Sequence, residues 1–209
     1  MGRSFHSPGG VGIYFSILLR PQCAPGELMH LTCATAVAMC DAVEKSTGLR
    51  PGIKWTNDLV HSKRKLGGIL TELGLSSKGG VDYAIIGIGI NCCQKETDFP
   101  EEIRGIAASL SMVTGKEIDR ITVASAMMDA LYRMDQTMLT EKAEMLNRYR
   151  EDCITIGQEV SLLRVGEAVR HGTAIGMDDE GALLVEFFDG TVETVNSGEV
   201  SIRGMYGYL

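Results

Sequence analysis

The sequence predicts an α+β protein in two parts: a mixed-sheet domain with packed helices over residues 1–152, and a small SH3-like β-barrel over residues 153–209. Three observations carry this. Strand-like segments separated by basic or Ser/Gly-rich turns fill residues 49–91, amphipathic segments at helical spacing lie on either side, and after Cys153 the texture changes to about five short strands. The 209 residues, 44% hydrophobic and 22% charged, suffice for one medium and one small core.

From the N-terminus, Val11 to Arg20 alternates and then runs apolar, as a strand buried on at least one face does. Pro21 and Cys23-Ala24-Pro25-Gly26 break it. Leu28, Leu31, Ala38, Met39, Ala42 and Val43 then recur at helical spacing until Gly48 supplies a stop, and Cys33 and Cys40 on that helix are small core residues. Strands follow at Ile53–Trp55, Leu66–Leu75 and Val81–Asn91. Helices are expected at Ala107–Met112, at Ile121–Met138 with Val123, Met127, Ala130, Leu131 and Met134 on one face, and at Glu141–Arg150. The terminal strands are Glu159–Leu163, Ala168–Met177, Ala182–Phe188, Thr191–Val195 and Val200–Arg203, a spacing that suits a small barrel.

The bulk composition excludes several classes. A formal net charge of -7 argues against nucleic-acid binding through this chain, since non-specific affinity for phosphate backbones needs clustered Lys and Arg. The densest cationic cluster, Lys63-Arg64-Lys65, reads from charge alone as a solvated turn. The longest apolar run, Tyr83 to Cys93, is too short to span a bilayer, so no membrane partner is expected. The first residues lack the apolar core of a secretory signal, and the six cysteines show no framework or zinc spacing, which points to the reducing cytoplasm and to no metal ligands.

Three constellations bear on chemistry. In Lys54-Trp55-Thr56-Asn57-Asp58-Leu59, followed by Lys65-Leu66-Gly67-Gly68-Ile69-Leu70-Thr71-Glu72, a hairpin would bring Asp58 and Lys65 to one end of a sheet, and the glycine pair would let a ligand approach the backbone. A plain charged hairpin fits the same residues. Gly87-Ile88-Gly89-Ile90-Asn91 ends an apolar strand, and alternating glycines there signal that something else fills the missing volume; Asn91 would bind a ligand or cap the next turn. It is not a dinucleotide fingerprint, because the third glycine and the following helix are lacking. The opening Gly2-Arg3-Ser4-Phe5-His6-Ser7-Pro8-Gly9-Gly10 offers an arginine for a phosphate and a phenylalanine for stacking on a base, or is an untethered terminus.

Taken in order, Gly-Arg-x-Phe-x-Ser-Pro-Gly-Gly-x-Gly-x-Tyr-Phe-Ser, Lys-Trp-x-Asn-Asp, Lys-Leu-Gly-Gly-Ile-Leu-x-Glu and Ile-Gly-Ile-Gly-Ile-Asn resemble the catalytic domain of the biotin protein ligases, a biotin/lipoate ligase-like fold. Gly181-Ala182-Leu183-Leu184 and Gly198-Glu199-Val200-Ser201-Ile202-Arg203 resemble that family's small C-terminal domain.

The resemblance implies an ATP-dependent ligase that makes biotinyl-5'-adenylate and passes biotin to a lysine of the biotin carboxyl carrier domain of a biotin-dependent carboxylase. ATP with Mg2+ and biotin would be its small molecules, and the resemblance also allows a homodimer. Lys65 would contact the biotin carboxylate and the adenylate phosphate, and Asp58 would engage the acceptor lysine. Arg3 would belong to the phosphate-covering glycine-arginine loop, Phe5 would lie beside adenine, and Asn57 and Asn91 would lie near the adenine and phosphate end. Gly68, Ile69, Gly87 and Gly89 would line the biotin channel. The sequence departs from the pattern in opening inside the glycine-arginine loop, without the earlier Ser-Thr-Asn segment, and in carrying Thr56 where proline is usual. The expectation is therefore that the 209 residues alone bind biotin weakly; a catalytically impaired relative, or a lipoate ligase or octanoyltransferase, are the competing assignments.

Overall fold

The computed structural model of the chain describes residues 6–77, 79–164, 167–196 and, for the backbone, 201–204. The described strands form two five-stranded sheets, and every pair of named strands is antiparallel. Parallel pairing is confined to two isolated bridges, Ile53 with Cys153 and Lys65 with Ala107.

The first sheet contains β1 (Gly12–Leu19), β2 (Gly52–Lys54), β3 (Asp58–His61), β4 (Arg64–Leu75) and β5 (Val81–Asn91), in the order β1-β5-β4-β3-β2. Strand side chains alternate faces, so Ile86, Ile88 and Ile90 of β5 share one buried face with Ile69 of β4, while Gly87 and Gly89 turn to the other. Helix α1 (Leu31–Thr47) lies on the isoleucine side, where Thr32 donates a hydrogen bond to Thr71 across 3.0 Å. Helices α3 (Arg120–Thr137) and α4 (Lys142–Asp152) pack against α1 in turn, and α2 (Leu110–Thr114) follows a loop from the end of β5. Being enclosed by the sheet and two helices, α1 is apolar nearly all round rather than along one stripe.

The helix stop expected at Gly48 is present, and a cap not singled out in the sequence starts α3. Gly48 closes α1 at φ 78°, its N–H donating to the Glu44 carbonyl. Asp119 caps α3 by accepting from the Ile121 and Thr122 amides. Cys33 and Cys40 are core residues, and burial pushes the Cys33 thiol up to about 12.

The second sheet contains β6 (Glu159–Leu163), β7 (Arg170–Met177), β8 (Leu183–Phe187), β9 (Val192–Val195) and β10 (Ser201–Gly204), in the order β10-β6-β7-β8-β9. The five expected strands are present, but among the described residues β9 and β10 do not pair and the sheet stays open rather than closing as a barrel. Its inward residues, among them Val160, Leu162, Ala174 and Val185, join the same buried cluster as α1 and the first sheet.

One strand escaped the sequence pattern. Asp58–His61 forms β3, returning through a two-residue turn in which Ser62 and Lys63 take φ 48° and 61°. Strand β3 is four residues long and polar at both ends, too short to show periodicity. The cationic cluster is accordingly split, Lys63 standing in the turn while Arg64 and Lys65 open β4.

Candidate active site

Opposite the helices, the first sheet carries a cleft of about 680 Å³ lined by Ser7, Tyr14, Phe15, Ser16, Asn57, Asp58, Lys65, Gly68, Ile69, Leu70, Gly87, Ile88 and Gly89. Strand register explains its floor. Asp58, Gly68, Gly89 and Tyr14 stand in one row across β3, β4, β5 and β1, and Leu70, Gly87 and Ser16 form the next row. Glycines occupy the middle of both rows where side chains would otherwise fill the space. A Cβ built on Gly87 would meet nothing nearer than Ser16 Oγ at 3.7 Å, Leu70 O at 3.8 Å and Leu70 Cβ at 3.9 Å, ordinary contacts, so the chain's own packing does not demand glycine there. A Cβ on Gly68 would stand 3.2 Å from Lys65 Nζ and 3.4 Å from Asp58 Oδ1.

Gly67 serves a different purpose from its neighbour. It faces the helix side, where a Cβ would come within 2.5 Å of the Gly89 carbonyl oxygen and 2.7 Å of Ile90 Cδ1. The glycine pair thus divides its work: Gly67 lets β4 and β5 approach, and Gly68 leaves the cleft open.

Lys65 reaches the cleft through an irregularity. In a regular strand residues 65 and 68 would point to opposite faces, but the β3–β4 register shifts between Leu59, which faces Gly67, and Val60, which faces Lys65. The extra residue of this bulge, Leu66, goes into the core, and Lys65 turns to the side of Asp58. Its backbone is fixed on both sides, the N–H donating to the Ile106 carbonyl at 2.7 Å and the carbonyl accepting from Ala108 N–H at 2.9 Å. The Lys65 ammonium donates to Asp58 Oδ1. Lys54, buried to 7% exposure, is the cross-strand neighbour of Asp58 on β2.

The remaining expected residues divide. Asn57 lines the cleft while its side-chain amide donates to the Ile69 carbonyl at 2.7 Å, and its own carbonyl accepts from Ile69 N–H at 2.9 Å, so it locks the turn before β3 to β4. Asn91 is not among the cleft-lining residues. It is buried, donates to the Ala108 carbonyl at 3.1 Å and accepts from Gln94 Nε2 at 3.1 Å, which leaves it tying the end of β5 to the loop before α2. Arg3 and Phe5 lie outside the described residues.

Tyr14 and Ser16 line the cleft without having been singled out in the sequence. Their signal was the alternation Tyr-Phe-Ser in β1, legible only once that strand is paired with the glycines of β5. The Tyr14 ring lies over Gly12, where any Cβ would meet its hydroxyl, and that hydroxyl accepts from Gln94 Nε2 at 2.8 Å. Burial, helped by the neighbouring Cys92 thiol, raises the Tyr14 hydroxyl above its ordinary value, so it stays protonated. Among the described residues no group of three His, Cys, Asp or Glu side chains is placed to hold a metal ion, and no helix is long and apolar enough to cross a membrane.

A glycine-floored cleft ending in a carboxylate–ammonium pair, on a five-stranded sheet backed by helices, defines a protein of the biotin/lipoate ligase class. Residues 1–91 match the family described as "Biotin/lipoate A/B protein ligase family", and residues 155–203 match "Biotin protein ligase C terminal domain". The apo structure of a biotin protein ligase from Aquifex aeolicus superposes with a TM-score of 0.70 at 31% identity, covering 92% of this chain and 82% of that one. The same enzyme in complex with biotin and ATP gives 0.70 over 92% and 78%. Among curated sequences, the bifunctional ligase/repressor BirA of Bacillus subtilis is 34% identical over 203 residues, 97% of this chain. The chain belongs to the biotin protein ligase family. It spans 62% of the length of that curated relative.

Proposed function

We propose that the chain is a biotin–protein ligase that activates biotin with ATP to biotinyl-5'-adenylate and transfers biotin to a lysine of a carrier protein. The observation that carries this reading is the Asp58–Lys65 pair at the end of the glycine-floored cleft. A cleft of about 680 Å³ falls within the size range of small-molecule sites. Residues 1–152 would hold the chemistry and residues 153–209 form a separate C-terminal unit, a division supported by the change of texture at Cys153 and by the two separate sheets.

Each residue has a task that its place supports. Gly68, Gly87 and Gly89 would floor the channel for an extended ligand, with Ile69 in its wall. In the first step a carboxylate attacks the α-phosphorus of ATP and pyrophosphate leaves, so two anions must be held close together. Lys65 would offset their repulsion and the charge that grows on the phosphate. A ligand anion that takes up the Lys65 ammonium also competes with Asp58 for it. Asp58 is then available in the second step, when the neutral amine of the carrier lysine attacks the mixed anhydride and must lose a proton as the adenylate departs. Arg3 and Phe5 keep the roles that the resemblance implies, at the phosphate and beside adenine. Asn57 and Asn91 act here through position: the first fixes the turn that presents Asp58, the second fixes the loop that clamps Lys65.

Magnesium is expected to accompany ATP. The described residues supply no three-ligand cluster for a resident ion, so it is assigned to the ATP phosphates, and no step is derived through it.

The test is incorporation of labelled biotin into an added biotin carboxyl carrier domain with ATP. Biotin incorporation that requires ATP is expected. Incorporation of lipoate in its place, or of neither, would overturn the assignment.

A further inference from the structure

The turn that presents Asp58 is held from behind. Residues 55–57 join β2 to β3; three hydrogen bonds reach this segment, and a fourth reaches Ile53 of β2 just before it, all from elements that do not line the cleft. The Tyr149 hydroxyl of α4 donates to the Thr56 carbonyl at 3.0 Å. The Trp55 N–H donates to Thr155 Oγ1 at 2.9 Å, its indole N–H donates to the Gly181 carbonyl at 3.0 Å, and the Ile154 N–H donates to the Ile53 carbonyl at 2.9 Å. Tyr149 and Thr155 are both 0% exposed, so neither hydroxyl has water as a ready substitute partner. Burial keeps the Tyr149 hydroxyl well above its ordinary value, hence protonated and a donor.

Beyond the turn, the Asn57–Ile69 hydrogen bonds tie the chain to β4. Asp58 begins β3 between two anchors, one on β4 and the other on the stretch from Tyr149 to Thr155. Releasing the second anchor frees Thr56, two residues from the carboxylate, while the Lys65 backbone stays clamped by residues 106 and 108. The two members of the ion pair would then no longer be held by one rigid frame.

We propose that Tyr149 and Thr155 are positioning residues for the Asp58–Lys65 pair, so that the chain entering the second sheet sets the geometry of a cleft it does not line. Only the catalytic consequence rests on the biotin-ligase reading; the placement of Asp58 can be read on the protein without substrate.

The experiment compares the full chain with Thr155→Val, Thr155→Ser and Tyr149→Phe. Valine keeps the volume and loses the acceptor oxygen, serine keeps the oxygen, and phenylalanine loses one hydroxyl. Backbone amide resonances of Asn57, Asp58 and Lys65 are recorded, and turnover on a carrier domain is measured with biotin and ATP. Expected are displaced Asn57 and Asp58 resonances in Thr155→Val and Tyr149→Phe, with kcat lowered by about tenfold and KM for biotin within about twofold, since small misplacements of a reacting group are costly in rate. Thr155→Ser should match the parent in both respects. The inference is overturned if Thr155→Val behaves as Thr155→Ser does, or if Thr155→Val lowers only the unfolding temperature. Should Tyr149→Phe fail to fold, the Thr155 pair decides. If the parent chain itself turns over no biotin, the ligase reading fails and the resonances alone decide this inference.

Discussion

Lys63 stands in the hairpin turn at φ 61°, exposed, and Lys65 two positions later donates to Asp58 inside the cleft. Charge is equal at the two sites, so geometry should separate them. Lys65→Ala is expected to lower biotin-dependent pyrophosphate release by about 10²- to 10³-fold, the usual scale for removing one preorganised group from a developing anion, while Lys63→Ala stays near the parent. Near-normal release by Lys65→Ala would sink the role given to it. The adjacent glycines make a second pair. Gly67→Ala places its methyl 2.5 Å from a backbone oxygen that cannot swing aside, and should lower stability by about 1 to 3 kcal/mol in denaturant unfolding. Gly68→Ala meets the far end of a flexible lysine at 3.2 Å, so its unfolding should change little while biotin binding, measured by calorimetry, weakens. Equal stability losses at the two positions would contradict the division of labour between them.

Among the elements, the contact between α1 and α3 contains a pH-sensitive join. His30, just ahead of α1 and 1% exposed, donates through Nε2 to the Met138 carbonyl at 2.7 Å, just past the end of α3. A carbonyl can only accept, so Nδ1 carries the lone pair, and it is buried with no partner among the described residues. Protonating Nδ1 would place a charge in the core, and burial accordingly lowers the His30 pKa below its ordinary 6.5. The folded state therefore binds this proton less readily than the unfolded chain does. Stability is unaffected well above pH 6.5, and it falls as the pH drops below that value towards the folded-state pKa. The expected result is that His30→Gln loses less unfolding temperature than the parent between about pH 7 and pH 5. Identical pH slopes would show that His30 is not the group responsible. At this scale much of the fold was legible beforehand. Long segments such as α1, α3 and β5 repeat one period many times, and Gly48 marks the end of α1. Strand β3 and the bulge at Leu66 were not legible: four residues carry no usable period, and a bulge becomes visible only when its partner strand is aligned beside it. Asp58 and Lys65 could be paired from the motif because the hairpin joins them locally, whereas Tyr14 and Ser16 needed a pairing across more than seventy residues.

Over the whole molecule, the two sheets are distinct in hydrogen bonding and continuous in packing. Residues of both belong to one buried cluster, Trp55 reaches across to Gly181, and Arg150 of α4 donates to the Met177 and Asp178 carbonyls at the end of β7. Arg50 joins Asp41 and Glu44 of α1 to Asp152 of α4. With the interface held in this way, calorimetry should record one cooperative unfolding transition for the chain. Two resolved transitions would mean that the C-terminal sheet unfolds alone, and that its contacts with the Trp55 turn contribute little. That the described strands of that sheet do not close was not foreseeable from sequence. Even spacing suits the run from β6 to β9, but the return of β10 to β6, and whether the edge strands β9 and β10 meet, are not recorded in local sequence.

The pleat of β5 gives the molecule a reading frame. Gly87 and Gly89 open on the cleft and the even positions from Ile86 to Ile90 enter the core, so both surfaces are written in one alternating line of letters. Deleting a single residue there would exchange the two alphabets, offering isoleucines to the ligand and glycines to the helices. Substitution can erode either surface separately. A change of parity removes both at once, so this strand should tolerate spelling errors far better than frameshifts in its pleat.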